Sequence, residues 1–314
     1  MRTEERDMGS LLKPIRIKGG WGRQGAFAIA LLILVGCVGT LDKSERAQLE
    51  TMTPNPIDFS EIEYYAQRSD SAYDPLKKIR ADYPLVTRAV TLTSVDARYF
   101  LEVDEANNHQ TLSVRGTAEK PNVIEDIETS LVVDNILSIP LHRGFQNVAA
   151  EVYNDVLPHI HKDMPIRVTG HSLGGAVAAI LAAYLDHDGW TVTRIVTFGQ
   201  PKFTSRDPGE KVVSVTTRVV NNTDVVALLP FYTQIRKFQH FGEEVILRDG
   251  PDYVFLKPEI ANELSIGDFR RNVQDFSAKD HHMTSYVSNI KGKVENGSNQ
   301  VPYLTPSNNL TLGN

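Results

Sequence analysis

Apolar residues along this chain recur in two rhythms, and each rhythm predicts an element. Residues 59–73 read as a helix, with Ile62, Tyr65 and Ala66 on one face. Tyr99–Val103 and Thr111–Val114 are short apolar runs split by the polar stretch Asp104–Gln110, the pattern of a β-hairpin. Phe145, Val148, Ala149, Val152 and Val156 keep helical spacing until Pro158 ends it. Ile166 and Val168 mark a short strand that stops at Gly170. An Ala-rich helix follows over 176–185, its wide apolar face made of Val177, Ile180, Leu181, Tyr184 and Leu185. Residues 192–198 and 212–220 alternate again as strands. Strands separated by helices predict an α/β fold with a mostly parallel central sheet covered on both faces. No internal repeat interrupts this order. From Lys291 the chain is rich in Asn, Ser and Gly without periodicity, so 291–314 is expected to be a flexible tail.

The first forty residues follow neither rhythm. Residues 1–24 carry scattered charge with a basic excess, and Gly25–Gly36 then runs without a charge up to Cys37. As a helix that run rises about 18 Å, short of the roughly 30 Å hydrocarbon core of a bilayer. A basic segment followed by a short apolar one has the layout of a secretory signal. Leu34-Val35-Gly36-Cys37 also resembles the bacterial lipobox, in which the cysteine is acylated and becomes the first residue of the mature chain. Residues 1–36 are therefore expected to be a lipoprotein signal peptide. Cys37 is then the lipidation site, and the polar stretch to residue 57 a tether. The competing readings are a buried apolar helix and a plain signal peptide with an incidental cysteine. The resemblance implies a lipid-anchored protein of the bacterial cell envelope, with Val38 after the cysteine favouring the outer membrane.

Composition narrows the rest. Cys37 is the single cysteine, which excludes a disulfide framework and a multi-cysteine metal site. The net charge is −6, and loss of residues 1–36 removes six basic and three acidic residues, leaving −9. A nucleic-acid-binding surface has no support in that balance. No H-E-x-x-H spacing points to a catalytic metal.

The segment that carries chemistry is Gly170-His171-Ser172-Leu173-Gly174. As a bare G-x-S-x-G pattern it would occur by chance in roughly one chain of this length in ten. Here a strand precedes it and an amphipathic helix follows, which is the setting of a nucleophile elbow. The tight turn strains the serine backbone, so its neighbours must lack bulk, and it lifts the hydroxyl to the N-terminus of a helix. A glycine-rich turn with an incidental serine is the competing reading.

A serine hydroxyl needs a base and an acid that orients the base, in chain order Ser, Asp/Glu, His for this type of fold. Asp224 stands after a strand and before an apolar stretch, a position that also suits a turn or helix cap. His281 and His282 are adjacent candidates for one base, the other being an exposed neighbour.

Several separated blocks resemble the class 3 (fungal-type) lipase family of α/β-hydrolases. They are Val114-Arg-Gly-Thr117, Pro140–Phe145, the G-H-S-L-G-G elbow, Val196–Pro201, Arg218–Pro230, Gln239–Glu244 and His281–Tyr286. The resemblance runs from residue 59 to 290 and implies an α/β-hydrolase domain over 58–290. It further implies Ser172 as nucleophile, Asp224 as orienting acid, His281 rather than His282 as base, and the backbone N–H groups of Thr117 and Leu173 as oxyanion hole. The implied activity is that of a lipase, triacylglycerol or phospholipase A1-like, which cleaves lipid esters through an acyl-enzyme without a cofactor. Residues 118–127 occupy the place of the family's lid, with Val123 where a tryptophan is common and with Glu119, Glu125 and Asp126 making the segment acidic.

His142 and His240, in family blocks, and His171, beside the serine, are expected to be structural. Two other functions stay open on the sequence: an esterase for short or non-lipid acyl groups, and a silent lipid-binding envelope lipoprotein of the same fold. Oligomeric state is left open.

Overall fold

A computed structural model of the chain describes residues 56–116, 130–230, 238–258, 260–261 and 278–303. The expected leader, Cys37 and nearly all of the tether lie outside the described residues, as do Thr117 and the candidate lid. The described chain opens with α1 (Phe59–Ser71), capped by Asp58, whose carboxylate accepts from the amides of Ser60 and Glu61. Then come α2 (Leu76–Asp82), β1 (Val86–Leu92), β2 (Ala97–Asp104) and β3 (His109–Val114). A small hairpin of β4 (Leu131–Val133) and β5 (Pro140–His142) leads into α3 (Arg143–Val156). Next are β6 (Ile166–His171), α4 (Leu173–His187), β7 (Val192–Phe198), α5 (Glu210–Ser214) and β8 (Thr216–Asn221). β9 (Glu243–Leu247), β10 (Asp252–Leu256), α6 (Met283–Asn296) and β11 (Asn299–Gln300) complete the order.

Nine of these strands form one sheet in the order β1-β2-β3-β6-β7-β8-β9-β10-β11. Its centre, β3 to β9, is parallel, while β1, β2 and β10 join antiparallel to their inner neighbours. Alternation sends successive side chains to opposite faces. On β7, Ile195 packs under α3 and α4, whereas Val196 and Phe198 meet α1 and α6 on the other face. The segment Gly174–Leu185 of α4 is buried all round, and its alanines let the helix lie close against the sheet.

Two sequence expectations are corrected. Residues 212–220 do not form one strand: α5 occupies Glu210–Ser214 and the strand begins at Thr216, because Thr216 Oγ1 donates back to Val212 O at 2.6 Å and closes the helical turn. Nor does a flexible tail begin at 291. α6 runs to Asn296, and β11 pairs with β10 through Asp252↔Asn299 and Tyr253↔Gln300. The physical reason is buried anchorage beyond residue 290. Lys293 is 2 % exposed and donates to the carbonyls of Arg248 and Gly250 at 2.8 Å each, and Tyr303 is buried against Ile246, Val254 and Leu256.

Candidate active site

The turn from β6 into α4 puts Ser172 at φ +57°, ψ −130°, a strained conformation for a residue with a side chain. The chain can make this turn because its flanks are bare. A Cβ on Gly170 would lie 2.3 Å from Gly174 O, and one on Gly174 would lie 2.4 Å from Val114 O. Leu173 is the first residue of α4, so its amide is among those a helix leaves unbonded at its N-terminus. That leaves a helix N-terminal amide beside Ser172, at the position expected of one oxyanion donor. The other expected donor, Thr117, lies outside the described residues.

Three distant stretches meet at this turn. His281 closes a 3₁₀ turn (Ala278–His281) just before α6, and its Nε2 lies 2.9 Å from Ser172 Oγ. Its Nδ1 lies 2.8 Å from Asp224 Oδ2. A buried carboxylate accepts, so Nδ1 carries the proton and Nε2 is left to accept from the serine hydroxyl. His282 is exposed at the N-cap position of α6, where its side chain makes no capping bond, which separates the two histidine candidates.

Asp224 follows β8 by three residues, in a tight turn closed by its own amide on Asn221 O at 2.9 Å. Its side chain is fully buried. Burial alone would raise its pKa, but the His281 and Tyr286 contacts outweigh that and hold the carboxyl below its ordinary value. Oδ2 accepts from His281 and from the Tyr286 hydroxyl at 2.5 Å, and Oδ1 accepts from the Val226 amide at 2.9 Å. The histidine loop is stapled to the acid loop as well. Thr223 Oγ1 donates to Asp280 Oδ2 at 2.6 Å, and Asn221 Nδ2 donates to Asp280 O at 3.1 Å.

Sequence reasoning carried no role for Tyr286, although the spacing His281–Tyr286 contained the signal. Asp280 had none to offer, because its partner lies 57 positions away. Of the histidines read as structural, His142 Nδ1 accepts from the Phe145 amide at the start of α3, and His240 Nε2 donates to Ala227 O at 2.5 Å. Among the described residues no group of three or more His, Cys, Asp or Glu could hold a metal ion, and no helix is long and apolar enough to cross a membrane.

The arrangement is able to activate an alcohol for acyl transfer: one imidazole nitrogen meets the serine hydroxyl, a buried carboxylate faces the other, and a helix N-terminal amide stands alongside. The family profile "Lipase (class 3)" matches residues 111–234. A secreted mono- and diacylglycerol lipase of Fusarium solani is 25 % identical over 245 residues, covering 68 % of this chain and 71 % of the relative. A lipase of Rhizomucor miehei is 27 % identical over 190 residues, 56 % of this chain and 51 % of that protein. Among solved structures, a triacylglycerol lipase with a serine protease triad at its catalytic centre is similar with a TM-score of 0.59 at 23 % identity, covering 73 % of this chain and 95 % of the other. The chain is thus a serine carboxylic ester hydrolase with the α/β-hydrolase fold, similar through residues 111–234 to the class 3 lipases.

Proposed function

We propose that the protein is a lipase that cleaves the carboxylic esters of lipids in two acyl transfers. Ser172 is the nucleophile, His281 the base that becomes the acid, and Asp224 the group that orients and charges-balances the imidazole. The observation that carries this reading is the His281 ring, held between Asp224 Oδ2 at 2.8 Å and Ser172 Oγ at 2.9 Å. In the first step Ser172 Oγ attacks the ester carbonyl while its proton passes to His281 Nε2. The imidazolium then protonates the leaving alcohol, and an acyl-enzyme remains. Water, deprotonated by the same nitrogen, frees the fatty acid and restores the serine.

The negative charge of each tetrahedral intermediate falls to the Leu173 amide and, by family resemblance, to that of Thr117. Loss of one such donor typically costs about 2.7–4 kcal/mol of transition-state stabilisation. The Fusarium relative named for mono- and diacylglycerols supports acylglycerols as the substrate class, and a phospholipase A1-like reaction breaks the same kind of bond. Residues 1–36 would direct export and acylated Cys37 would hold the enzyme at a bacterial envelope membrane, close to its substrate.

Three experiments test these readings. A fluorophosphonate probe should label the wild-type protein and leave Ser172→Ala unlabelled, and a series of acyl esters should favour long chains. Absence of labelling in folded protein would remove the hydrolase mechanism, and preference for the shortest chains would remove the lipid. For the anchor, Cys37→Ala should block acylation and release the protein from membranes; full membrane retention with normal processing would sink that part alone.

A further inference from the structure

The residue preceding the serine takes no part in the steps above, yet both of its ring nitrogens are engaged. His171 Nε2 lies 2.8 Å from the backbone carbonyl oxygen of His281, and Nδ1 lies 2.8 Å from the Tyr73 hydroxyl. A carbonyl only accepts, so the proton sits on Nε2. Burial, with the neighbouring His281 second, pushes the His171 pKa down to about 3. The ring is therefore neutral, Nδ1 is an acceptor, and Tyr73 donates. The two imidazoles also lie tilted against each other, centroids 4.6 Å apart at 33°.

Tyr73, just beyond the end of α1, reaches the oxyanion loop as well. Its hydroxyl sits where a side chain on Gly116 would go, since a Cβ there would lie 2.3 Å from it, and the Gly116 backbone hydrogen-bonds to it. On its other flank, the turn bearing His281 is held by Asp280 on Thr223. The histidine loop is thus clamped from both sides, once through the acid loop and once through His171.

We propose that Tyr73 and His171 are positioning residues of the hydrolase, a relay in which the Tyr73 hydroxyl fixes the His171 tautomer and His171 holds the His281 backbone at the height its ring needs over Ser172. The relay rests on the catalytic reading of Ser172, His281 and Asp224. It also ties the oxyanion loop to the base, because Tyr73 touches Gly116 and His171 together. Without the tyrosine donor, His171 is free to move its proton to Nδ1. Nε2 would then aim a lone pair at the His281 carbonyl, two acceptors in repulsion, and the loop would shift. A displacement of about 1 Å in such a site lowers turnover by roughly a hundredfold.

The test uses full-length protein and a short, soluble p-nitrophenyl ester. Tyr73→Phe should lower kcat about 10- to 100-fold with KM nearly unchanged, because the tyrosine holds the base and not the substrate. His171→Gln has an amide long enough to donate to the His281 carbonyl and should keep much more kcat than His171→Asn, which is too short. A structural role alone would not rank the two amides by reach. Where circular dichroism shows that Tyr73→Phe fails to fold, the Gln-to-Asn comparison decides. Wild-type turnover abolished by Ser172→Ala secures the reading beneath the relay. Against that background, wild-type kcat in Tyr73→Phe, or equal kcat in the Gln and Asn variants, overturns the relay and leaves the hydrolase standing.

Discussion

Replacing Gly199 with alanine should disable the site without replacing any of its three side chains. Gly199 follows β7 with φ +53°, its amide bonded to Val219 O at 2.9 Å. A Cβ there would stand 2.5 Å from Asp224 Oδ2 and 3.0 Å from both His281 Nδ1 and Tyr286 Oη. Real Cβ atoms essentially never approach closer than 3.0 Å, so the carboxylate or the backbone must move by about 0.5 Å. The carboxylate has no slack, since its two oxygens are held by Val226, His281 and Tyr286 in a fully buried pocket. The left-handed backbone adds about 1–2 kcal/mol for any residue with a side chain. Together these predict a stability loss of about 1–3 kcal/mol and a fall in kcat of roughly a hundredfold, with KM for a soluble ester little changed. Urea denaturation and steady-state hydrolysis measure the two effects separately. Gly292→Ala is the internal control: it lies in α6, a Cβ there meets nothing within 4 Å, and the change should keep full activity and add up to about 1 kcal/mol of stability. A folded Gly199→Ala enzyme with wild-type kcat would refute the claim that the triad tolerates no displacement.

The remaining predictions concern charge and the C-terminal end. Lys202 is buried, and burial followed by the Arg218 charge pushes its pKa from 10.5 down to about 7. Between those values the unfolded chain holds a proton the folded one lacks, so stability rises with pH across that window. Lys202→Met should flatten the rise, seen as a smaller difference between urea midpoints at pH 7 and pH 9; identical differences in both proteins would count against it. Deleting residues 291–314 should cost about 3 kcal/mol or more, because it removes the Lys293 bonds to Arg248 and Gly250 and the buried Tyr303 ring. Unchanged thermal stability of the shortened protein would show that this end is not part of the core.

Much of the fold was legible because its cues are local. The helix over 59–73, the hairpin around Asp104–Gln110 and the strand 192–198 are each set by a rhythm within one window, and each is formed close to those limits. The G-x-S-x-G turn was legible for a similar reason: bare flanks are a local requirement of the backbone. Where cues compete, the reading fails. Residues 212–220 look like one strand because Val212, Val213 and Val215 suit either element, and a Thr216 side-chain bond to Val212 turns the first part into helix. The Asn- and Ser-rich end past 290 has the composition of a tail, yet Lys293 finds two carbonyl acceptors on the β9–β10 turn and a third acceptor, Asn289, in its own helix, and is buried.

The candidate site divides in the same way. Ser172, Asp224 and the pair His281/His282 are visible as residue types in a workable chain order, and family resemblance favours one histidine of the two. The partners that orient them are not visible, because His281 meets Ser172 across 109 positions and Tyr286 meets Asp224 across 62. The sequence by itself determined which elements could form, in what order, and which side chains had the chemistry for acyl transfer. Only the tertiary structure decided that His281 and not its neighbour faces the serine, that Gly199 must stay bare, and that Tyr73 reaches His171. The physical reason is that periodicity and turn chemistry act over a few residues. Hydrogen-bond distance between remote segments depends on how the whole sheet is stacked, and no short stretch of chain contains it.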